Sequence, residues 1–501
     1  MTKFVENISD MSRSIRNSVL FISFILYFSN ASAQGYDIKV KIPELKDSMI
    51  ILGHHFAESL YPDDTIKLDK NGSGVFKGKK TFPGGMYFIF LPNKKFFDFL
   101  LDKDQAFIIE TDTADFLKYT KFTGSTDNQL FYEYQNLINS KREEANKLFE
   151  QKKNAKTDAE KKAATEEIDK INKEVLSYIK NTIENNKGLF ISTFLKALQD
   201  IDVPEAPRDA KGNVTDSLFQ YNYYKTHYFD NLDYRDARLL RTPIYQQKIK
   251  NYIEKVIPQM PDSINAEVDK LLENTKSDTV VFRYMLVTLF NEYGSSQIMG
   301  QDAVFVHIAN KWYLPYATWS DKEFKDKLVK EVAKKEPNLI GNIAPDLKLV
   351  ELPAEQFVLS QTDTALKSNP YVGNPINLHD IKTKFLVVAF WEADCGHCKV
   401  AIPKLHDIYE KIKDKGVEVL AIHMIASVEG KRKWIDFVNE HQLLDWRNAW
   451  SPYSYDYKDL YDVYSTPVIY VLDENKKIIA KRISPEQVED VINFELEKKK
   501  K

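Results

Sequence analysis

The only two cysteines in this 501-residue sequence stand three positions apart, in Cys395-Gly396-His397-Cys398. A chain stapled by disulfides spreads several cysteines along its length, and this pair closes too small a loop to join distant elements. Stability must come from hydrophobic cores, and the pair is left for chemistry. Its flanks fix the local fold. Phe385-Leu386-Val387-Val388-Ala389-Phe390 is a continuous apolar run, as expected of a central strand buried on both faces. Downstream, Ile402, Leu405, Ile408, Tyr409 and Ile412 share one side of a helix that Gly416 ends. A strand ending at Trp391, then Cys-x-x-Cys, then a helix puts Cys395 at a helix N-terminus. Unpaired N–H groups and the helix dipole there favour an anion. That lowers the thiol pKa, and the thiolate is the nucleophile.

Cys398 is one turn further in. It is placed to attack a mixed disulfide at Cys395 and release the reduced partner, leaving a Cys395–Cys398 disulfide. His397 is expected to stabilise the Cys395 thiolate, which would make the couple more oxidising. Other chemistries fit less well. Structural zinc needs a second ligand pair, and none accompanies this motif. Covalent haem attachment needs His directly after the second cysteine, where Lys399 stands. A peroxidase cysteine on such a fold needs a hydroxyl residue three positions earlier, where Glu392 stands. No metal or cofactor is expected.

The segment from Phe390 to Lys399 resembles the active-site segment of thioredoxin-like proteins. Pro403 resembles the proline that interrupts their active-site helix. Thr466-Pro467, just before the apolar run Val468-Ile469-Tyr470-Val471-Leu472, resembles their cis-proline. Ile340-Gly341-Asn342-Ile343-Ala344-Pro345-Asp346 is similar to the segment that opens the domain in the exported TlpA-like branch and in peroxiredoxins. The 72 residues from Cys395 to Pro467 exceed plain thioredoxin, and an inserted strand–helix element of the TlpA-like kind would account for them. The resemblance implies a C-terminal α/β thioredoxin fold acting on protein thiols and disulfides. Thr466, Pro467 and Trp391 would shape the substrate groove. Thioredoxin's buried aspartate, which takes the proton of the second cysteine, falls at Ala389, and a glutamate frequent in the TlpA-like branch falls at Ala401. Glu392 is the carboxylate left to relay the Cys398 proton; the alternative is a solvent-facing strand end. The Gly-His dipeptide suits an oxidant or isomerase, whereas the TlpA-like resemblance implies a reductant fed by a membrane electron donor.

The start of the chain reads as a cleaved signal peptide. Lys3, Arg13 and Arg16 precede the apolar stretch Val19–Phe28, and Ala31-Ser32-Ala33 fits a cleavage site before Gln34. The stretch is about half the ~20 residues that span a bilayer. No cysteine there offers a lipid anchor. The expected location is periplasmic, with no stable membrane span after cleavage. Net charge is −3, which gives no reason to expect a nucleic-acid partner.

Residues 34–124 read as a β-rich accessory domain. Tyr36, Ile38, Val40 and Ile42 alternate with charged residues, and Pro/Gly/Asn turn signals recur. This spacing predicts a small sandwich or barrel. Residues 125–187 contain neither glycine nor proline, and 17 of residues 141–172 are charged. They read as long helices, a helical hairpin with a solvated charged middle, offering a surface on which two chains could pair. Residues 188–336 read as mainly helical, with an aromatic cluster (Tyr221, Tyr223, Tyr224, Tyr228, Phe229, Tyr234) best explained as core packing with wet hydroxyl tips. Residues 337–501 are the thioredoxin-like domain. The protein is thus expected to be multidomain and to act as a thiol–disulfide oxidoreductase on exported proteins. The competing readings are a cell-envelope binding protein whose thioredoxin-like domain is a redox-sensitive accessory, and a thiol peroxidase.

Overall fold

Strand β1 (Asp37–Lys41) carries the alternation seen in the sequence: Ile38 and Val40 are buried, Lys39 and Lys41 exposed. The computed structural model describes residues 35–369, 372–451 and 457–498, so the segment read as a signal peptide lies outside the described residues. The strands that follow are β2 (Met49–Phe56), β3 (Ser59–Lys67), β4 (Ser73–Lys77), β5 (Gly85–Phe90), β6 (Phe96–Leu101), β7 (Ala106–Glu110) and β8 (Lys121–Thr123). They form two four-stranded sheets, ordered β4-β1-β7-β8 and β3-β2-β5-β6. Aromatic rings join the sheets: the Phe99 centroid on β6 lies 5.9 Å from Phe107 and 6.5 Å from Phe122. This is the sandwich. Its Asn71-Gly72 turn needs glycine, because Gly72 has φ +73° and a Cβ there would strike the Ile42 carbonyl.

With no helix breaker available, residues 125–187 form helices α1 (Thr126–Asn154) and α2 (Asp158–Asn185). Thr157 caps α2 by accepting from the Glu160 N–H at 3.2 Å, and Glu160 returns a carboxylate to the Thr157 N–H at 3.1 Å. The Lys141 ammonium meets the Glu174 carboxylate at 2.6 Å across the hairpin. Ile168, Ile171 and Ile179 are buried, while Lys162 and Glu166 of the charged middle are exposed. The aromatic cluster reaches the core in part: Tyr221 is exposed, and Tyr223, Tyr224, Phe229 and Tyr234 are half-buried. Tyr228 is buried, its ring 5.0 Å from Tyr252, and its hydroxyl donates to the Lys248 carbonyl at 2.9 Å.

The chain divides into two compact units at Val256/Ile257, a cut inside the 188–336 segment. Helices after the cut therefore belong with the C-terminal sheet. The last of them, α3 (Lys322–Lys335), leads into β9 (Lys348–Glu351). Next come β10 (Asn374–Asn377), β11 (Phe385–Trp391), α4 (Gly396–Ile412), β12 (Val417–His423), α5 (Val428–Glu440), β13 (Arg447–Trp450), β14 (Val468–Asp473), β15 (Ile478–Lys481) and α6 (Pro485–Lys498). The sheet order is β10-β9-β13-β12-β11-β14-β15, with β11, β12 and β13 parallel. Between β12 and β14 the chain forms α5 and β13.

All seven residues of β11 are buried, which explains its unbroken apolar sequence. Phe385, Val387, Ala389 and Trp391 face a core with Cys398, Ile402 and Leu405 of α4, Trp434 and Phe437 of α5, and Val488 and Ile492 of α6. Leu386, Val388 and Phe390 face a second core with Leu420, Ile422, Tyr461 and Tyr470. Beside β15, the Gly341 N–H donates to the Ile478 carbonyl at 2.8 Å and the Ile478 N–H to the Asn342 carbonyl at 2.9 Å. The segment joining α3 to the sheet thus runs along the outer edge of β15.

Candidate active site

Cys395 caps α4. Its backbone is extended (φ −70°, ψ 123°), and its sulfur accepts from the Cys398 N–H at 3.4 Å. N-caps are usually oxygen side chains that satisfy the first helical N–H groups. Here sulfur takes that place, and the helix start favours its ionised form. Pro403 lies inside α4 and removes one backbone donor from its ladder.

The Thr466-Pro467 peptide is cis and faces the dithiol: the Thr466 carbonyl oxygen is 3.4 Å from Cys395 Sγ. A protonated thiol donates to that carbonyl. Partial burial pushes the Cys395 pKa up. The Thr466 side chain, the Cys398 N–H and the His397 N–H outweigh it, and the net shift is below the usual thiol value. Cys398 differs: it is fully buried, and burial pushes its thiol up to about 12. The Glu392 N–H and the Thr466 side chain offset this only in part. Ala389, in the same core cluster, offers no carboxylate to take its proton. The two thiols therefore differ: Cys395 is partly accessible with a lowered pKa, and Cys398 is buried with a raised one.

The remaining sequence candidates fall out as follows. The His397 side chain is exposed and, among the described residues, its ring has no hydrogen-bond partner. Its backbone N–H is what reaches Cys395. Glu392 is half-buried, and its carbonyl accepts from the Cys395 N–H at 3.2 Å. Trp391 does not line a groove. It is fully buried, its ring 5.1 Å from Phe437 and 5.5 Å from His423, because the alternation of β11 points it with Ala389 into the α4–α5 core. Its part is to support the site from beneath.

Sequence reasoning missed His423. Strands β11 and β12 pair in register, Trp391 beside His423, so this histidine ends its strand under the active-site loop. It is 2% exposed, stacks on Trp434 at 5.7 Å, and its Nε2 accepts from the Ala393 N–H at 3.3 Å. Burial pushes its pKa down to about 3, against weaker opposing effects of the Ile425 backbone and the Asp394 carboxylate. The imidazole is thus a neutral acceptor. Its place at the end of β12, directly after Val419, Leu420, Ala421 and Ile422, was the available signal. The loop is also tied at Asp394, which meets Lys433 of α5 at 2.8 Å.

Among the described residues, His406, Glu410 and Asp445 bring potential metal-ligand atoms within 4.8 Å of one another. His406 and Glu410 lie about two and three turns along α4 from Cys398, and Asp445 stands just before β13. His406 pairs with Asp445 at 2.7 Å and Glu410 with Lys413 at 2.8 Å.

Residues 340–481 match the AhpC/TSA family model. The C-terminal domain is an AhpC/TSA-type, thioredoxin-like domain. Preceding it, residues 36–131 and 149–338 match two models each described as a domain of unknown function (DUF4369 and DUF5106). The AhpC/TSA domain is similar to the thiol-disulfide oxidoreductase ResA of Oceanobacillus iheyensis, 28% identical over 144 residues, covering 28% of this chain. The chain spans 62% of that relative's length. ResA of Bacillus subtilis is 27% identical over 128 residues, covering 25% of this chain and 63% of that protein. Among solved structures, a domain of a possible thiol-disulfide isomerase from Cytophaga hutchinsonii is 33% identical, covering 32% of this chain and 97% of that one, with TM-score 0.27. A thioredoxin-like protein from Bacteroides caccae is 17% identical, covering 59% of this chain and 99% of that one, with TM-score 0.42. Among the described residues no helix is long and apolar enough to cross a membrane.

Proposed function

We propose that this protein is a thiol–disulfide oxidoreductase acting on exported proteins, with Cys395 as nucleophile and Cys398 as resolving thiol. The observation that carries the reading is the asymmetry of the pair: Cys395 partly accessible with a lowered pKa, Cys398 buried with a raised one. In the reducing direction, the Cys395 thiolate attacks a substrate disulfide, forming a mixed disulfide and expelling one substrate thiolate. Cys398 then loses its proton and attacks the Cys395 sulfur. The second substrate thiolate leaves, and the Cys395–Cys398 disulfide remains. Two electrons pass to the substrate, and the thiol protons follow. The oxidising direction is the reverse. Glu392, whose backbone contacts both cysteines, is the proposed relay for the Cys398 proton. Thr466 and Pro467 are proposed to line the substrate groove. The N-terminal sequence supports export, and the ResA relatives support protein thiols and disulfides as substrates.

The test is Cys398→Ser. Mixed with a disulfide-bonded peptide, the reduced variant is expected to stall as a peptide adduct on Cys395, visible by mass spectrometry. No adduct, with wild type equally inert, overturns the reading and leaves the binding-protein alternative. The direction follows from the reduction potential: near about −270 mV indicates a reductant, about −120 to −180 mV an oxidant or isomerase.

A further inference from the structure

The loop that presents Thr466 to Cys395 is anchored from outside the thioredoxin-like domain. Lys334, near the end of α3, meets Asp459 at 2.8 Å and donates to the Tyr464 hydroxyl at 2.6 Å. That hydroxyl in turn donates to Asp459 at 2.7 Å, closing a triangle. Lys335 meets Asp462 at 3.2 Å. Asn338 is fully buried, and its amide donates to the Lys334 carbonyl at 3.0 Å and to the Leu460 carbonyl. Three residues at the exit of the helical segment therefore grip the stretch two to seven residues upstream of Thr466.

The gripped stretch is not relaxed. Asp462 and Arg482 are non-glycine residues in left-handed backbone, at φ 50° and 55°. Such conformations persist only where their surroundings over-determine them. Here Arg482 donates to both the carbonyl and the carboxylate of Asp462 at 2.6 Å, and Lys335 closes on the same carboxylate. Isolated surface ion pairs contribute little, but this network is partly buried and shares the buried Asn338 side chain, which would lose its bond to the Leu460 carbonyl if the loop moved away.

We propose that Lys334, Lys335 and Asn338 are positioning residues for the redox site, holding Thr466 against Cys395 so that the helical segment before the thioredoxin-like domain sets the reactivity of the attacking thiol. This rests on Cys395 being the nucleophile. It gives residues 322–338 a part in the chemistry rather than a tether's role. The groups acting on the network are Glu331 and the two lysines from α3, Asp459, Asp462 and Tyr464 from the stretch before Thr466, Arg482 after β15, and Lys481, which pairs with Asp302 and donates to the Asn338 carbonyl at 2.6 Å.

The test uses the full chain, reduced. The rate of Cys395 alkylation by iodoacetamide is followed against pH by peptide mass spectrometry. Two double variants are compared with wild type: Lys335→Met with Asn338→Ala, and Lys334→Met with Tyr464→Phe, the latter at exposed positions. Loosened Thr466 contacts are expected to move the midpoint by about half a pH unit or more, while the rate at high pH stays within about twofold. Lys335→Arg is expected to keep the wild-type midpoint. So is Glu323→Gln, which removes only an exposed pair with Lys327. Unchanged midpoints in both double variants overturn the proposal. If the first does not fold, the exposed pair decides alone. Alkylation needs no turnover, so a moved midpoint in a protein that forms no mixed disulfide would overturn the oxidoreductase reading and leave the positioning intact.

Discussion

His423 gives the sharpest stability test. Its folded pKa is pushed down to about 3 by burial, whereas a histidine in an unfolded chain titrates near ~6.5. The unfolded chain therefore binds a proton that the native state refuses. The resulting stability is fully present above pH ~6.5 and is lost as pH falls toward the folded value. At pH 7.5 the effect is negligible; by pH 5 it amounts to about 2 kcal/mol, since one pH unit of mismatch is ~1.4 kcal/mol. His423→Phe keeps a ring between Trp391 and Trp434 but leaves the Ala393 N–H without its acceptor, at a cost of about 1–3 kcal/mol. The variant is thus expected to be less stable at pH 7.5 and to lose that deficit by pH 5. Urea denaturation at the two pH values reads the difference, with the His423 ring proton followed by NMR alongside. A deficit that is the same at both pH values refutes the reasoning. So does a His423 resonance that titrates near pH 6.5.

Three further outcomes follow from the dithiol. In the reduced protein, Cys395 is expected to alkylate half-maximally below the usual thiol pKa, while Cys398 resists until pH approaches about 12, as mass spectrometry against pH will read. Glu392→Gln is expected to slow release of the reduced substrate at least several-fold in stopped-flow measurements, with the Cys395 alkylation profile unmoved; unchanged kinetics remove Glu392 as the relay. Ala389→Asp puts a carboxylate into the core that holds Cys398. It is expected to speed release while lowering stability by several kcal/mol, the usual cost of an unpaired buried carboxylate.

The parts legible in the sequence were those set by local pattern. The unbroken apolar run of β11 announced burial on both faces, and the lack of glycine and proline announced α1 and α2. Thr466-Pro467 was legible because it stands directly before the apolar strand β14. Trp391 was misplaced because proximity to Cys395 in sequence outweighed the strand alternation, which assigns it to the core with Ala389. His423 and the Lys335–Asp462 pair stayed hidden for another reason. Each depends on which strands and helices become neighbours, and Lys335 and Asp462 are separated by 127 residues. The division at Val256/Ile257 was likewise invisible, since composition does not change there and only packing distinguishes the helices on either side.

The strip from Gly341 to Ala344 along β15 has a practical consequence for anyone dissecting this chain. An outermost strand presents a row of unpaired amide groups to any other strand that can reach it. In the intact protein Gly341 and Asn342 take the outer groups of Ile478 at the start of that strand, and the Ala344 N–H donates to the Lys476 carbonyl just before it at 2.8 Å. A fragment begun at Pro345, three residues before β9, would uncover that edge. Such a fragment should associate edge to edge and precipitate with rising concentration, whereas one begun before α3 should stay dispersed.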